Sequence, residues 1–351
     1  ANLKSLNLKI DELNFFNNLY QNQIFKINFK ENSSLATFNG SNLNGSINID
    51  NTGFTRIDVY NTKFEFKGLD IVESQSNFDI ANINLRFVGK NIQTYDDIFQ
   101  DIDFYLLRNK NITTVDNIKV SSKNLNIGPY DNNEKAYISY NNKTDMYKVR
   151  GSYKINNENS TLEALTNYDF EYLSANLNIQ WIGINQLKNI EGNVDFLLKD
   201  FQSNTEIPNS AFLRALKIFN LNAIIENINN ETNIASPNLY INRAEGNFYI
   251  GQNRALISEP IKIETSEAKM RWQGDIVKNS VGVLDSLNLD LEMRLKVSEN
   301  IPWYAAIFGG IPALAGGMVL ENIFDESLDD VSTFKFKVTG NIDNPEIKRL
   351  D

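Results

Sequence analysis

The sequence predicts a mainly β protein, built as one elongated antiparallel structure with helices attached at a few places. Apolar and polar residues alternate with a period of two in many segments, which is typical of strands with one apolar and one wet face. Clusters of Asn, Asp and Gly separate these segments and supply turn chemistry, as in residues 38–46 and 139–145. The 351 residues include only 7 Pro, which suits long uninterrupted strands.

The longest alternating segment runs from 287 to 297. Its polar positions carry Asn, Asp, Glu, Arg and Lys, and its apolar positions are Leu287, Leu289, Leu291, Met293, Leu295 and Val297. Shorter segments repeat the pattern: Leu6, Leu8 and Ile10; Phe25, Ile27 and Phe29; Ile83, Leu85 and Phe87; Leu177, Ile179 and Trp181; Phe334, Phe336 and Val338. Strands at this spacing, without helices between them, are expected to pair antiparallel.

Three segments favour a helix instead. An Asn–Ser pair can cap the segment at about 207–220, whose apolar residues fall on one helical face. Residues 10–20 carry a weaker form of the same spacing. The third segment, at about 301–331, begins apolar and ends acidic before the chain returns to a strand at Phe334.

The apolar part of this third segment, 301–324, has no charged side chain between Asn300 and Leu320. A helix of that length would reach about 30 Å, close to the thickness of a bilayer's hydrocarbon core. Two Gly pairs and Pro312 interrupt it, however. Three interpretations stay open: a helix that contacts membrane or lipid, a full span, or a helix buried against the end of the sheet. For the first, the membrane-contacting residues are Trp303, Tyr304, Ile307, Phe308, Leu314, Met318, Leu320 and Phe324.

Composition argues against several classes of function. The net charge is −10 and no basic stripe with interleaved aromatics is present, so we expect no nucleic-acid partner. The chain has no Cys and no His, which excludes disulfides, iron–sulfur clusters, Cys–zinc sites and Ser-His-Asp catalysis. We expect no cofactor, no metal and no enzymatic activity.

The aspartates at 96, 97, 101 and 103 could act as an acid–base pair, although they also fit a solvated turn and strand face.

An antiparallel sheet with one apolar face must cover that face. It can pack on a second sheet, close into a barrel, curl into a solenoid, or leave a trough for an apolar ligand. Alternation alone does not choose among these arrangements.

The C-terminal half carries several motifs of a known family in order. They are LNIQWIG, IEGNVDFLLKDFQS, AFLRALKIFNL, RAEGNFYIGQNRALISEPIKIETSEAKMRWQGDI, DLEMRLKVSENIP with AIFGGIPALAGGMVLENIF, and STFKFKVTGNIDNPEI. This order resembles the AsmA-like C-terminal region of the YhdP-type proteins of Gram-negative envelopes. The resemblance is specific over about 170–350 and weak over 1–169.

The resemblance implies an elongated curled antiparallel sheet that forms an apolar groove, with a few short helices. Residues 1–169 would be a β-groove segment and 170–351 the AsmA-like C-terminal β region. It also implies a periplasmic conduit for phospholipid transfer between the inner and outer membranes. Family members are longer and carry an N-terminal inner-membrane helix, so we expect an anchored periplasmic protein whose anchor is absent from this chain.

On this interpretation the groove shields acyl chains, and the lipid-binding residues are the inward side chains Leu287, Leu289, Leu291, Met293, Leu295, Val297, Phe334, Phe336 and Val338. The partners are phospholipid, the outer membrane at the C-terminal end, and other envelope proteins. Two alternatives remain open: a non-transporting structural or assembly scaffold of the envelope, and a carboxylate-based, polysaccharide-active β-solenoid enzyme. An open groove, a filled core, or two facing carboxylates in a cleft would distinguish the three.

Overall fold

A computed structural model describes residues 4–15, 18–64, 84–94, 97–130, 134–157, 168–183, 188–203, 239–265, 268–295 and 333–350. The chain divides into two compact units. Unit 1 comprises 1–156 with 176–178, and unit 2 comprises 157–175 with 179–351. Within the described residues, every regular element is a strand.

Unit 1 contains the first eleven strands. They are β1 (Ser5–Phe15), β2 (Asn18–Lys30), β3 (Ser33–Asn39), β4 (Asn44–Asp50), β5 (Thr55–Lys63), β6 (Leu85–Gln93), β7 (Ile98–Asn109), β8 (Ile112–Ser121), β9 (Leu125–Gly128), β10 (Tyr137–Asn141) and β11 (Met146–Asn156). β1 to β5 pair antiparallel in sequence order, as do β6 to β8. β9 and β10 together fill one position, because both pair with β8 on one side and with β11 on the other.

One pair of strands in unit 1 departs from the antiparallel expectation. β5 and β6 run parallel, with Thr55 beside Leu85 and Lys63 beside Gln93. A parallel neighbour requires the chain to return to the end where the first strand began. The long connection between Lys63 and Leu85 provides the length for that return, whereas the short turns elsewhere enforce antiparallel pairing.

Residues 10–20 belong to β1 and β2, so the helix predicted there is wrong. Asp11 and Asn22 are skipped by the ladder between these strands, and Asn22 takes a φ of 52°. Such an interruption shifts the alternation by one residue. The less exposed positions on β1 consequently step from Ile10 to Leu13, a spacing of three that imitates a helical period.

Unit 2 contains the remaining strands. They are β12 (Tyr168–Asp169), β13 (Tyr172–Ile182), β14 (Lys188–Ser203), β15 (Leu239–Ile250), β16 (Arg254–Glu264), β17 (Ala268–Lys278), β18 (Leu284–Leu295), β19 (Thr333–Asn341) and β20 (Asn344–Leu350). β14 to β20 form a meander in which each strand is antiparallel to the next. β12 pairs with the last residues of β14.

The sheet of unit 2 is curled at one end. The N–H of Asn189, at the start of β14, donates to the carbonyl of Gly282, in the turn between β17 and β18, at 3.0 Å. β15 and β16 separate β14 from β17, so a flat sheet would hold these two strands about 14 Å apart. The hydrogen bond therefore requires the sheet to roll up.

The strands confirm the predicted fold class, a mainly β chain with a curled antiparallel sheet. The segments predicted as helices at about 207–220 and 301–331 lie outside the described residues. In the described ranges there is no helix with the length and apolar character needed to cross a bilayer.

Candidate functional site

Apolar side chains of unit 1 form a continuous row across seven strands. The central row occupies directly paired positions on β1 to β7: Leu6, Ile27, Ala36, Ile47, Ile57, Phe87 and Phe104. Directly paired residues place their Cβ atoms about 5 Å apart, so neighbouring side chains meet. The rings of Phe87 and Phe104, for example, stack with centroids 5.4 Å apart. The row is therefore an unbroken apolar strip.

Two further rows flank the central one, and they differ in burial. The buried row carries Phe25, Phe38, Gly45, Val59, Gly89 and Ile102. The outer row carries Phe29, Ser34, Ile49, Thr55, Leu85 and Leu106. Val59 is 6% exposed, Ile57 in the central row is half-buried, and Ile49 in the outer row is 43% exposed. Burial of the apolar face thus decreases stepwise along the strands.

The buried end of this face is closed by residues from strands that are not neighbours. The Tyr20 hydroxyl on β2 donates to the carbonyl of Lys63 on β5 at 3.0 Å. The Tyr20 ring also meets the edge of Phe64, with centroids 6.2 Å apart. Because β3 and β4 lie between these strands in the sheet, the strand ends must converge. A core cluster fills the convergence: Tyr20, Phe38, Leu43, Val59 and Ile92.

The opposite face of the same strands is charged. Arg56 pairs with Asp58, and Arg86 pairs with Asp103, each at 2.8 Å. The hydrogen bonds that Arg86 donates to the Asp103 carboxylate raise the pKa of Arg86, which keeps the guanidinium charged. Unit 1 therefore presents one wet face and one apolar face that is closed at one strand end and partly open to water at the other.

The predicted lipid-binding residues lie on one face of unit 2. Leu289 pairs with Val338, Leu291 with Phe336, and Met293 with Phe334. All described side chains of the set are at most 8% exposed: Leu287, Leu289, Leu291, Met293, Phe334, Phe336 and Val338. Leu295 lies on β18 opposite Ala268, and Val297 lies outside the described residues. The structure thus brings these side chains together on a buried face, while a role for them in lipid binding stays a prediction.

Neighbouring strands extend this buried face. Trp272 pairs with Leu291 on one side and with Ile261 on the other, and Met270 pairs with Met293 and Ile263. The sequence did not show that these residues join the predicted lining. The missing information was the register, because alternation identifies a face on each strand without saying which residues are opposite each other.

Two of the aspartates weighed as an acid–base pair, Asp97 and Asp103, have other partners in the structure. Asp103 is ion-paired with Arg86, and Asp97 accepts the N–H of Asn124 at 3.2 Å. Asp96 lies outside the described residues. A search of the described part of the chain found no group of three or more His, Cys, Asp and Glu able to hold a metal ion.

The residues predicted to contact a membrane are absent from the described ranges, so their placement stays a prediction. They are Trp303, Tyr304, Ile307, Phe308, Leu314, Met318, Leu320 and Phe324.

The described strands define a mainly β protein with a curled, mostly antiparallel sheet, and in unit 1 one face of that sheet carries an unbroken apolar strip. A family model described as YhdP protein matches residues 2–347 of this chain. The chain therefore belongs to the YhdP family and is an envelope protein of the YhdP and AsmA type. The match includes residues 2–169, where the motifs alone resembled the family only weakly. Searches of curated proteins and of solved structures found no match.

Proposed function

We propose that this chain holds phospholipid acyl chains against its apolar face and carries lipid through the periplasm between the inner and outer membranes. The observation that supports this most is the graded face of unit 1, where three rows of mostly apolar residues cross β2 to β7 and burial decreases from one row to the next. A filled core has no need of an outer row with isoleucine and phenylalanine side chains more than two-fifths exposed, such as Ile49 and Phe29.

The physical task is to avoid exposing acyl chains to water. Each CH₂ group gains about 0.8 kcal/mol when it leaves water. Moving an acyl chain of about fifteen CH₂ groups from a membrane into water therefore costs roughly 12 kcal/mol. A continuous apolar strip removes most of this barrier, while the headgroup stays in water at the open side. The task needs no nucleophile, metal or cofactor.

The proposal also assigns partners and a location. The cargo is phospholipid, the C-terminal end meets the outer membrane through residues 303–324, and other envelope proteins are further partners. The chain is then the periplasmic part of a protein anchored in the inner membrane. Membership of the YhdP family supports the envelope setting of this proposal.

A structural or assembly scaffold of the envelope is the second candidate. The burial of the unit 2 face favours it, because Leu289, Met293 and Val338 are 0% exposed, as core residues are. A scaffold would use both units as rigid bodies and would carry no lipid.

Lipid transfer between vesicles separates the two candidates. Donor vesicles carry a self-quenched fluorescent phospholipid, and acceptor vesicles carry none. The conduit hypothesis predicts that transfer accelerates in proportion to the concentration of the chain, and that native mass spectrometry of the purified chain shows bound phospholipid. A scaffold would leave the transfer rate at that of vesicles alone and would give only the mass of the bare polypeptide.

A charged substitution in the predicted lipid-binding face of unit 2 would not test lipid transfer cleanly. Leu291 and Phe336 are each 1% exposed, and an unpaired charge at so buried a position costs several kcal/mol of folding free energy. A variant there would lose its fold before its transport could be measured. The half-buried central row of unit 1 avoids this ambiguity.

A further inference from the structure

Lys278 lies where the start of β14, the β15–β16 turn and the end of β17 meet. We propose that Lys278 closes this end of the apolar interior of unit 2, so that an amphiphile cannot enter the interior between these strand ends. We call the closed end the clasp end, formed by residues 188–191, 251–253, 278–284 and 341–343. The closure stands on the geometry below, and only the identity of the amphiphile rests on the proposed function.

The Lys278 ammonium ties together three segments that are distant in sequence. Its Nζ donates to the carbonyl of Ile190 at 2.5 Å and to the carbonyl of Gly251 at 2.6 Å. Its own N–H donates to the carbonyl of Asn253 at 2.8 Å. The residue is 9% exposed, so its side chain lies buried between these three segments.

A second contact at the clasp end acts beside the lysine. Asn189 donates its N–H to Gly282, which takes a φ of 79° in the turn after β17. A Cβ atom at Gly282 would overlap the Asn189 side-chain oxygen. Only glycine therefore allows both the turn and the close approach of β14.

Ile342 closes the same end from the other side of the meander. It lies in the turn between β19 and β20 and is 5% exposed. Its N–H donates to the carbonyl of Asp285 at 2.7 Å, and the neighbouring Asn341 amide donates to the Asp285 carboxylate at 2.7 Å. The first of these bonds continues the β18–β19 ladder by one residue pair, and the turn places an apolar side chain at the clasp end.

The opposite strand ends, which we call the far end, differ in their connections. Ser203 pairs with Leu239, and Arg294 pairs with Thr333. Segments 204–238 and 296–332 therefore leave and return at this end, whereas turns of at most five residues join the strands at the clasp end. A connection of only three residues, 265–267, joins β16 to β17 at the far end, so connection length alone does not distinguish the two ends. What closes the clasp end is the pair of hydrogen bonds, Lys278 to Ile190 and Asn189 to Gly282, that join strands which are not neighbours.

The charges around Lys278 fit a closure better than a site for an anion. Burial lowers the pKa of this lysine, and Glu191 opposes that shift. Two carbonyl oxygens and a nearby carboxylate make the surroundings of the ammonium negative. A phosphate would be repelled there, while the ammonium satisfies carbonyls that the curled backbone brings together.

Amide hydrogen exchange tests the closure in the full chain. Lys278→Met keeps the apolar stem and removes both charge-assisted hydrogen bonds, each of which typically slows opening by about ten- to hundredfold. We expect exchange at the Asn189 amide to accelerate by about that factor, while the Thr265 amide at the far end, which donates to Ala268, stays unchanged. Lys262→Met is the matched control, because Lys262 only pairs with Glu245 on the wet face. Unchanged protection of Asn189 in Lys278→Met would overturn the closure.

Cysteine labelling tests the direction of access, since the natural chain has no Cys. Ala255→Cys places a thiol on the interior near the clasp end, and Ala268→Cys places one at the far end; both alanines are at most 3% exposed. The probe is a vesicle phospholipid with a maleimide at its acyl terminus. We expect adducts at position 268 in either background, and at position 255 only when Lys278→Met is added.

The outcomes of the two experiments separate the two ideas. Equal labelling at positions 255 and 268 with Lys278 intact would overturn the closed end. Absence of any lipid adduct, together with the expected exchange at Asn189, would support the closure and count against lipid as the occupant of unit 2.

Discussion

A carboxylate in the central row of unit 1 is the most informative single perturbation. Ile57 is half-buried between Ile47 and Phe87, which are its directly paired neighbours. Fully burying an isoleucine contributes about 1.5–3 kcal/mol, so Ile57→Glu should cost about 1 kcal/mol of stability and leave unit 1 folded. An acyl chain seated on the row would have to desolvate the new carboxylate, at several kcal/mol. Since 1.4 kcal/mol is a factor of ten, lipid occupancy should fall by about a hundredfold or more.

The control for this variant is the same substitution on the other face. Ile24 lies on β2, is 46% exposed and points to the wet side, so Ile24→Glu changes the chain's charge equally without touching the row. Both proteins would be purified alike, checked by circular dichroism, and compared by native mass spectrometry for co-purified phospholipid. We expect the Ile24 variant to match the wild type and the Ile57 variant to carry almost none. Equal lipid loads in both folded variants would refute the assignment of the row.

Three further predictions concern stability. Leu291→Ala should lower the free energy of unfolding by about 2–5 kcal/mol in urea denaturation, because Leu291 is 1% exposed; a loss below about 1 kcal/mol would mean that its surroundings are not packed. Asn61 and Asn91 take φ values of 47° and 52° on the parallel pair, so changing either to Ala should cost about 1 kcal/mol more than changing it to Gly. Equal melting temperatures for the Ala and Gly variants would contradict this. Burial raises the pKa of Tyr153 to about 12, so the unfolded state ionises first and stability should fall between about pH 10 and 12. Tyr153→Phe should flatten that part of the urea-derived stability profile, and an unchanged slope would contradict the assignment.

The parts of the fold that local pattern specifies were predicted well from sequence. The alternating segment predicted at 287–297 lies in β18 as far as residue 295, where the described part ends, and the return of the chain at Phe334 corresponds to β19, which pairs with β18. In such segments every side chain's face is determined by its own position along the strand. No long-range information is required.

The parts that depend on pairing could not be predicted in the same way. The interruption at Asp11 places the apolar residues Ile10 and Leu13 three positions apart and suggested a helix, because the shift in phase is visible only when the partner strand is known. The parallel pairing of β5 with β6 follows from the path of a long connection. The hydrogen bond from Lys278 to Ile190 joins residues 88 positions apart, and no local sequence motif predicts it.

Photo-crosslinking within the envelope tests the central claim most directly. Ile47 and Asn48 are adjacent on β4, with Ile47 in the central apolar row and Asn48 exposed on the wet face. A benzophenone amino acid would replace each in turn, and adducts would be identified by mass spectrometry after irradiation. A face that holds acyl chains predicts phospholipid adducts at position 47 and none at position 48. Absence of phospholipid at position 47, or equal yields at both positions, would contradict the account.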